Sequence, residues 1–404
     1  MARIRQLDSV IVILTARCNS RCCYCYQTAK KPLSMNWPVL RASIEQVLDS
    51  QTAELEIVFL GGEPLLEMAN IRAAVEFADR HTPPGKKVGY AISTNGLLIT
   101  DETAAFLDEH KFEVQLSFDG VEQAQDYRQP GSFASVDRLL DKLKEEHPDL
   151  FKSRLVIHAI VVPDTVPFLS SSIRYLIEKG IRQISIAPSI TSSPGWMDER
   201  LPELESQFRR VCDDSLTYYQ RSGDIPFLLF RKREAEPFKC GPGRDMCRLM
   251  TRNTLVVDVD GQVYGCVMFA ESYQEFSSAF LRLRLAPLKM GGLHDPDLSS
   301  RYAAFPEAAR EAGLFGHKEL KYSSYGKCCE CPYLEHCSVC PMSIAYLPGN
   351  TDPHRVPDFV CAFNRVALEH RDRFWAYLGD RLLDLETIGG FEWRFSLGGR
   401  LRES

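Results

Sequence analysis

The chain of 404 residues predicts an α/β fold, a parallel sheet that is open or curled into a partial barrel, followed by a smaller cysteine-rich unit around a β-hairpin. Three observations carry this reading. Short β-branched runs alternate with stretches of helical period through the first half of the chain. The segment NTLVVDVDGQVYGCVMF alternates by two about Asp260-Gly261, a strong hairpin signal. The fourteen cysteines avoid the middle of the chain: four lie from Cys18 to Cys25, none from Tyr26 to Val211, and nine from Cys240 to Cys361, with Cys212 alone between.

Taken in order, the candidate strands are VIVILT (10–15), LEIVFL (55–60), KVGYAIS (87–93), FEVQLS (112–117), RLVIHAIV (154–161) and IRQISIA (181–187). Helical patterns fall after each of them, at 37–48, 70–81, 101–110, 133–146, 167–180 and 199–220. Six β-then-α units point to parallel pairing, because each crossover returns the chain to the same end of the sheet. Ligands of such folds sit beyond the carboxyl ends of the strands. The residues expected there are ARCNSRCCYC, GGEP, TNG, FDG, PDT and PSI, so a cysteine loop, a glycine pair and polar turns should share one rim. The expected division is a core domain at 1–215, a polar linker at 216–239, a cysteine-rich domain at 240–380 and a tail at 381–404. A closing helix is read at EHRDRFWAYLGDRLLDLE.

Composition narrows the function. With 45% hydrophobic and 25% charged residues the chain can bury a full core, and a net charge of -6 offers no basic footprint for nucleic acid or an anionic membrane. The longest early aliphatic run, VIVIL, is too short for a secretory or spanning segment, so a cytoplasmic location is expected. In that reducing setting clustered cysteines read as metal ligands rather than disulfides.

Cys18, Cys22 and Cys25 form C-x3-C-x2-C directly behind the first strand, with Tyr24 before the last thiol. Iron-sulfur cubanes normally take four thiolates, so three would leave one iron open to a substrate or cosubstrate. A zinc site, or a buried cysteine cluster on one helix face, also suits these residues alone. With Gly61-Gly62-Glu63-Pro64 after the second strand, the triple resembles the radical S-adenosylmethionine superfamily over about the first half of the chain. The resemblance implies a partial (β/α)6 TIM-like barrel and a 4Fe-4S cluster on Cys18, Cys22 and Cys25 whose open iron chelates S-adenosylmethionine. Reductive cleavage of that cosubstrate would give a 5'-deoxyadenosyl radical able to abstract hydrogen from an unactivated carbon.

Further cofactor contacts follow from the same resemblance. Tyr24 would lie beside the cluster. Gly61, Gly62, Glu63 and Pro64 would meet the amino group, the glycines by letting backbone approach closely. Ser93, Thr94, Asn95, Ser117 and Asp119 would meet ribose and carboxylate, Arg128 would pair with a carboxylate, and Ile186 with Ala187 would form an apolar wall against adenine. On the residues alone Asp119-Gly120 also reads as a turn, and Arg128 as a surface ion pair.

From Cys240 the spacing is C-x6-C-x18-C, followed by C-x2-C-x5-C-x2-C from Cys328 and a last thiol at Cys361. This pattern resembles the SPASM extension of the same superfamily. It implies two auxiliary 4Fe-4S clusters, the nearer on Cys240, Cys247, Cys266 and Cys340 and the farther on Cys328, Cys331, Cys337 and Cys361, with Cys23, Cys212 and Cys329 free. The family often has three residues where Ser338 and Val339 stand here, so the cluster served by Cys340 stays open, as does Cys329 in place of Cys328. Zinc is the alternative for the run beside His336.

Members with this extension mostly modify peptides or proteins by two-electron oxidations. The resemblance therefore implies oxidative maturation of a peptide or protein, as in ribosomally made peptide products, with flavodoxin or ferredoxin as electron donor. RKREAEPFK (231–239) is a candidate dock for that donor and equally a solvated linker. With the cluster loop starting at residue 18, a leader peptide is expected to bind the core or a separate recognition protein. Sulfatase maturases typically carry an aspartate right after the hairpin cysteine; Cys266-Val267-Met268-Phe269 argues against formylglycine formation here. The other readings are a radical enzyme acting on a small molecule, and a non-catalytic iron-sulfur or zinc redox module.

Overall fold

The structure is a computed structural model that describes residues 4–27, 30–191, 195–231, 253–273, 284–313, 315–347 and 349–378. Strands β1 (Ser9–Ile13), β2 (Glu54–Leu60), β3 (Lys87–Thr94), β4 (Glu113–Ser117), β5 (Leu155–Val161) and β6 (Ile184–Pro188) pair in parallel, each with the next. The intervening helices are α1 (Trp37–Leu48), α2 (Met68–His81), α3 (Asp101–Glu109), a short α4 (Glu122–Gln125), α5 (Phe133–Glu146) and α6 (Leu169–Lys179), with α7 (Leu201–Ser222) after β6. All six strands and all six long helices lie where the alternation of period placed them.

The chemistry of the ends explains the boundaries. Asn36 caps α1 by accepting from the Val39 amide at 3.0 Å, and Pro38 stands in the first turn, where its missing N–H costs nothing. Thr100 caps α3 through the Thr103 amide at 3.2 Å. Gly180 ends α6 in the left-handed region, and the Ile181 amide then bonds Leu176 O at 3.1 Å. That closure occupies the first residues of IRQISIA, which is why β6 begins only at Ile184.

The hairpin joins the same sheet. β7 (Thr254–Val257) pairs in parallel with β1, and β8 (Gln262–Tyr264) and β9 (Lys289–Gly292) continue antiparallel. The resulting order is β6-β5-β4-β3-β2-β1-β7-β8-β9. Without β7 the inner edge of β1, wholly buried along its length, would leave unpaired backbone groups. The turn between β7 and β8 has Gly261 at φ 84° with its amide on Asp258 O at 2.9 Å, as the Asp260-Gly261 signal requires.

The stretch expected as a polar linker, 216–239, is packed structure over its described part. It begins as the last two turns of α7 and then buries Ile225, Phe227, Leu228 and Phe230. Phe230 stacks on Phe374 of the long C-terminal helix α10 (Asp358–Leu378), at 5.2 Å between ring centroids, and Trp375 donates to Phe230 O at 2.7 Å. Apolar residues two or three apart outweigh the charges that surround them in the sequence. Residues 232–239 and the tail at 381–404 lie outside the described residues. Two further helices, α8 (Leu298–Glu311) and α9 (Pro341–Ala345), precede α10. No helix among the described residues is long and apolar enough to cross a membrane.

Just before β4, Phe112 is fully buried, with Tyr90, Phe106 and Phe59 at 5.4, 5.8 and 5.9 Å. Phe112→Ala is expected to cost about 3–5 kcal/mol in chemical denaturation, through lost apolar transfer and the cavity left behind. The folded fraction should keep its iron-binding capacity.

Candidate metal and cofactor site

The rim begins where β1 and β2 run on past their last paired residues. Leu14 N bonds Leu60 O at 2.8 Å, Gly62 N bonds Thr15 O at 2.8 Å, and Glu63 N bonds Arg17 O at 2.9 Å. A Cβ on Gly61 would stand 2.8 Å from Thr15 O, and one on Gly62 would stand 2.2 Å from Arg17 O and 2.9 Å from Cys18 Cβ. The close approach that the two glycines permit is thus to the base of the cysteine loop. The loop is tied down further on: Gln27 donates to Ala16 O at 2.6 Å, Lys30 to Ser20 O, and Asn95 to Asn19 Oδ1 at 2.7 Å and Ser20 Oγ at 3.1 Å. On its other side Cys23 N bonds Tyr127 O at 3.1 Å and Arg21 N bonds Gln129 Oε1 at 3.1 Å.

Cys18, Cys22 and Cys25 are half-buried on this loop and within electrostatic reach of one another, whereas Cys23 is exposed. Burial pushes the Cys22 thiol up to about 11, against the pull of Arg128, and raises Cys18 as well. Thiolates are the ligating form, so a metal bound here displaces protons. Among the described residues no three His, Cys, Asp or Glu side chains gather closely enough to hold a single ion.

Glu63, expected toward an ammonium, points inward and is fully buried. Its carboxyl accepts from Thr94 Oγ1 at 2.7 Å, from the Asn95 amide at 2.8 Å and from the Leu65 amide at 3.1 Å, and so fastens the ends of β2 and β3 together. Burial, outweighing those donors, pushes it up to about 7. Thr94 is committed to this bond, and Ser93 Oγ accepts from Gln115 at 3.2 Å.

Asp119 and Arg128 form a buried pair at 2.7 Å, with side chains 2% and 8% exposed, in place of a plain turn and a surface ion pair. Asp119 also accepts from the Tyr24 phenol and from the Ile160 amide at 2.9 Å, and the Arg128 guanidinium lies over the Tyr24 ring at 5.4 Å. The three residues therefore lock the cysteine loop to the ends of β4 and β5, and the groups expected to meet ribose and carboxylate satisfy one another. Ser117 remains half-buried at the end of β4, opposite His158, and Ile186 is buried near Asp119. His158, given no role from sequence, holds Ser185 Oγ at 3.2 Å, and burial beside Arg128 presses it down to about 4. Its place on the inner face was readable only from the alternation of β5.

In the second sulfur-rich region Cys328, Cys331, Cys337 and Cys361 line one cavity of ≈ 230 Å³, together with Tyr325, Ser323, Lys318 and Lys321. Ser323 Oγ donates to Cys361 Sγ at 3.0 Å. Burial and the neighbouring thiols push Cys328 up to about 11 and Cys337 to about 12. Cys329 is exposed, and Cys212 is buried in α7. Cys340 caps α9 and is not among the residues lining that cavity. Cys266 opens the buried turn Val267–Phe269 and acts electrostatically on Tyr26, next to Cys25. Cys240 and Cys247 lie outside the described residues. The two lysines, 5% and 1% exposed, were not singled out in the sequence.

Residues 12–166 match the radical SAM superfamily, and this part of the chain is a radical SAM domain. An uncharacterised protein of Methanocaldococcus jannaschii is 31% identical over 182 residues, 44% of this chain and 62% of that protein. A serine-type anaerobic sulfatase-maturating enzyme of Klebsiella aerogenes is 26% identical over 271 residues, 62% of this chain and 64% of the enzyme. The chain thus spans less than two thirds of the length of these relatives. Among solved structures, anSMEcpe with bound AdoMet and Kp18Cys peptide superposes with a TM-score of 0.67 at 18% identity, over 91% of this chain and 97% of that one. SuiB of Streptococcus suis bound to precursor peptide SuiA gives 0.55 at 16% identity, over 88% and 76%. These likenesses establish the fold as a partial TIM-like barrel.

Glu63 supplies a test of the rim. Its folded value lies above its ordinary 4.5, so the folded chain holds the proton more tightly than the unfolded one. Its contribution is full below pH 4.5 and is lost as pH rises through about 7. In the metal-free protein, Glu63→Gln should gain stability relative to wild type from about pH 5 to about pH 8, by roughly 3 kcal/mol at full ionisation. Paired thermal melts across that range check it; a pH-independent difference would contradict the buried placement.

Proposed function

We propose that this radical SAM enzyme binds a 4Fe-4S cluster on Cys18, Cys22 and Cys25 with S-adenosylmethionine beside it. In this reading it carries two auxiliary clusters in a SPASM-type C-terminal region and oxidatively matures a peptide or protein. The observation that carries the reading is three half-buried thiols within electrostatic reach of one another, on the rim where the six barrel strands end. Bound there, cluster and cosubstrate supply radical generation and hydrogen abstraction from an unactivated carbon.

The chain's own part is to hold and to orient. Gly61 and Gly62 fix the base of the loop, and the Tyr24, Asp119 and Arg128 network fixes its far side. Because the Glu63 carboxyl is engaged, the backbone carbonyls of this segment are the groups left to meet an ammonium. Ser117, half-buried at the end of β4, and Asn95, already bonded into the loop, stand at the rim where cosubstrate would lie. The four-thiol cavity supports the farther auxiliary cluster on Cys328, Cys331, Cys337 and Cys361. The position of Cys340 outside that lining supports its service, with Cys266, to the nearer one.

A peptide or protein substrate is supported by the sulfatase-maturating relatives and by the peptides bound in anSMEcpe and SuiB. The product is a different one from formylglycine: Cys266 is followed by the buried Val267, Met268 and Phe269, with no carboxylate among them. Flavodoxin or ferredoxin is the class of donor, the cytoplasm the compartment, and a separate leader-recognition protein the partner to seek.

Anaerobic reconstitution tests the assignment. About twelve irons per chain and reductive release of 5'-deoxyadenosine are expected. Alanine at Cys18, Cys22 and Cys25 together should abolish the nucleoside and leave about eight irons, whereas alanine at Cys328, Cys331, Cys337 and Cys361 should spare it and stop product formation. Cleavage that survives the first triple substitution would overturn the site.

A further inference from the structure

We infer that Lys318 and Lys321 set the reduction potential of the group held by Cys328, Cys331, Cys337 and Cys361, making it easier to reduce. The inference rests on the reading of those thiols as cluster ligands. Both lysines line the four-thiol cavity, and they are 5% and 1% exposed. Lys318 opens a single 3-10 turn, Lys318–Leu320, entered through His317 in the left-handed region, and Lys321 is its C-cap. Both side chains turn to one side, where they line the same cavity. Leu320, between them in sequence, is 55% exposed on the other.

Backbone carbonyls hold the ammonium groups in place. Lys318 Nζ donates to Cys337 O, and Lys321 Nζ donates to Pro353 O at 2.8 Å and Gly313 O at 3.2 Å. The backbone of Lys321 in turn accepts from the Cys328 amide at 2.9 Å. Lys318 is thus bonded through its ammonium, and Lys321 through its backbone, to a ligand residue. Lys327, Glu330 and Arg365 complete the charged lining, two cations and one anion.

Burying an ammonium is unfavourable unless negative charge lies close by. Four thiolates supply that charge. Reduction places one further electron on the site, taken from the oxidised substrate carbon or from an external donor, with no bond made or broken at the lysines. Two buried cations lining the cavity stabilise the added charge more than the state before it, and the potential rises.

The test is a potentiometric titration of the reconstituted full chain, followed by electron paramagnetic resonance. The relevant signal is identified as the one lost when Cys328 and Cys331 are both changed to alanine. Lys318→Gln and Lys321→Gln should each lower the equilibrium constant for one-electron reduction about tenfold, ~59 mV in midpoint, at unchanged iron content. Lys318→Arg and Lys321→Arg should keep the wild-type midpoint. The two positions are read independently, so a variant that fails to load iron leaves the other to decide. An unshifted midpoint in an iron-replete glutamine variant overturns the inference, as does loss of iron in all four variants, which would mark the lysines as structural. If wild type shows no signal that the paired cysteine substitution removes, the cluster assignment itself fails, and this inference with it.

Discussion

Gly61 and Gly62 lie so close to Thr15, Arg17 and Cys18 that a side chain at either position would overlap backbone, and the placement of the cysteine loop follows from that crossing. A loop rich in small and polar residues would otherwise sample many conformations, and ordering it costs about 1–2 kcal/mol per residue. Three backbone hydrogen bonds running on from the β1–β2 ladder absorb part of that cost before any ligand arrives. The same crossing turns Glu63 inward. Once Gly62 is fixed against Arg17, the next side chain faces the gap between β2 and β3, where Thr94 and the Asn95 amide are the donors within reach. The loop is thereby coupled to a third strand through one buried carboxyl.

The far side of the loop relies on charge. Desolvating Asp119 and Arg128 is unfavourable, and their mutual attraction offsets this only because further bonds use the remaining lone pairs and protons. Those bonds are present: Ile160 N and the Tyr24 phenol on the carboxylate, His158 O at 3.4 Å on the guanidinium. The network favours one arrangement of Tyr24, and Tyr24 stands between two of the three candidate ligands. A hydrophobic trio of equal volume could fill the space, but it would not fix the ring that carries Cys22 and Cys25 on either side.

Period and punctuation made the barrel legible in the sequence. β-branched runs and amphipathic stretches fell on the strands and helices they became, and Asp260-Gly261 marked its turn. The resemblance to the SPASM pattern grouped the four thiols that line the C-terminal cavity. Pairings between distant segments left no local trace. Asp119 and Arg128 sit nine residues apart across a turn, so nothing in the sequence distinguished a buried mutual pair from two groups offered to a ligand. Likewise the attachment of β7 to β1 joins residues some 245 positions apart, as in the Ser9–Thr254 side-chain bond at 2.8 Å. The stretch from Ile225 to Phe230 misled for a related reason: its flanking charges are conspicuous, whereas its burial depends on α10, which arrives more than a hundred residues later.

The two sulfur sites differ in a way that suits the roles proposed for them. A ligand set of three on a rim loop leaves a face through which a cosubstrate can approach. Four thiols around one cavity, half-buried like those on the rim, supply a complete ligand set and leave no coordination position for a cosubstrate. Packing fixes the relation between the sites: Tyr346 of the segment after α9 donates to Tyr26 O at 3.2 Å, and Tyr26 lies 5.9 Å from Tyr273. A second bridge runs from the loop after β6, where Trp196 donates to the Tyr325 phenol at 3.0 Å and that phenol donates to Asp198 at 2.7 Å. Tyr325 also lines the four-thiol cavity. With the C-terminal unit clamped at both places, the rim and the cavity are held in one fixed relation by side-chain bonds from two separate segments.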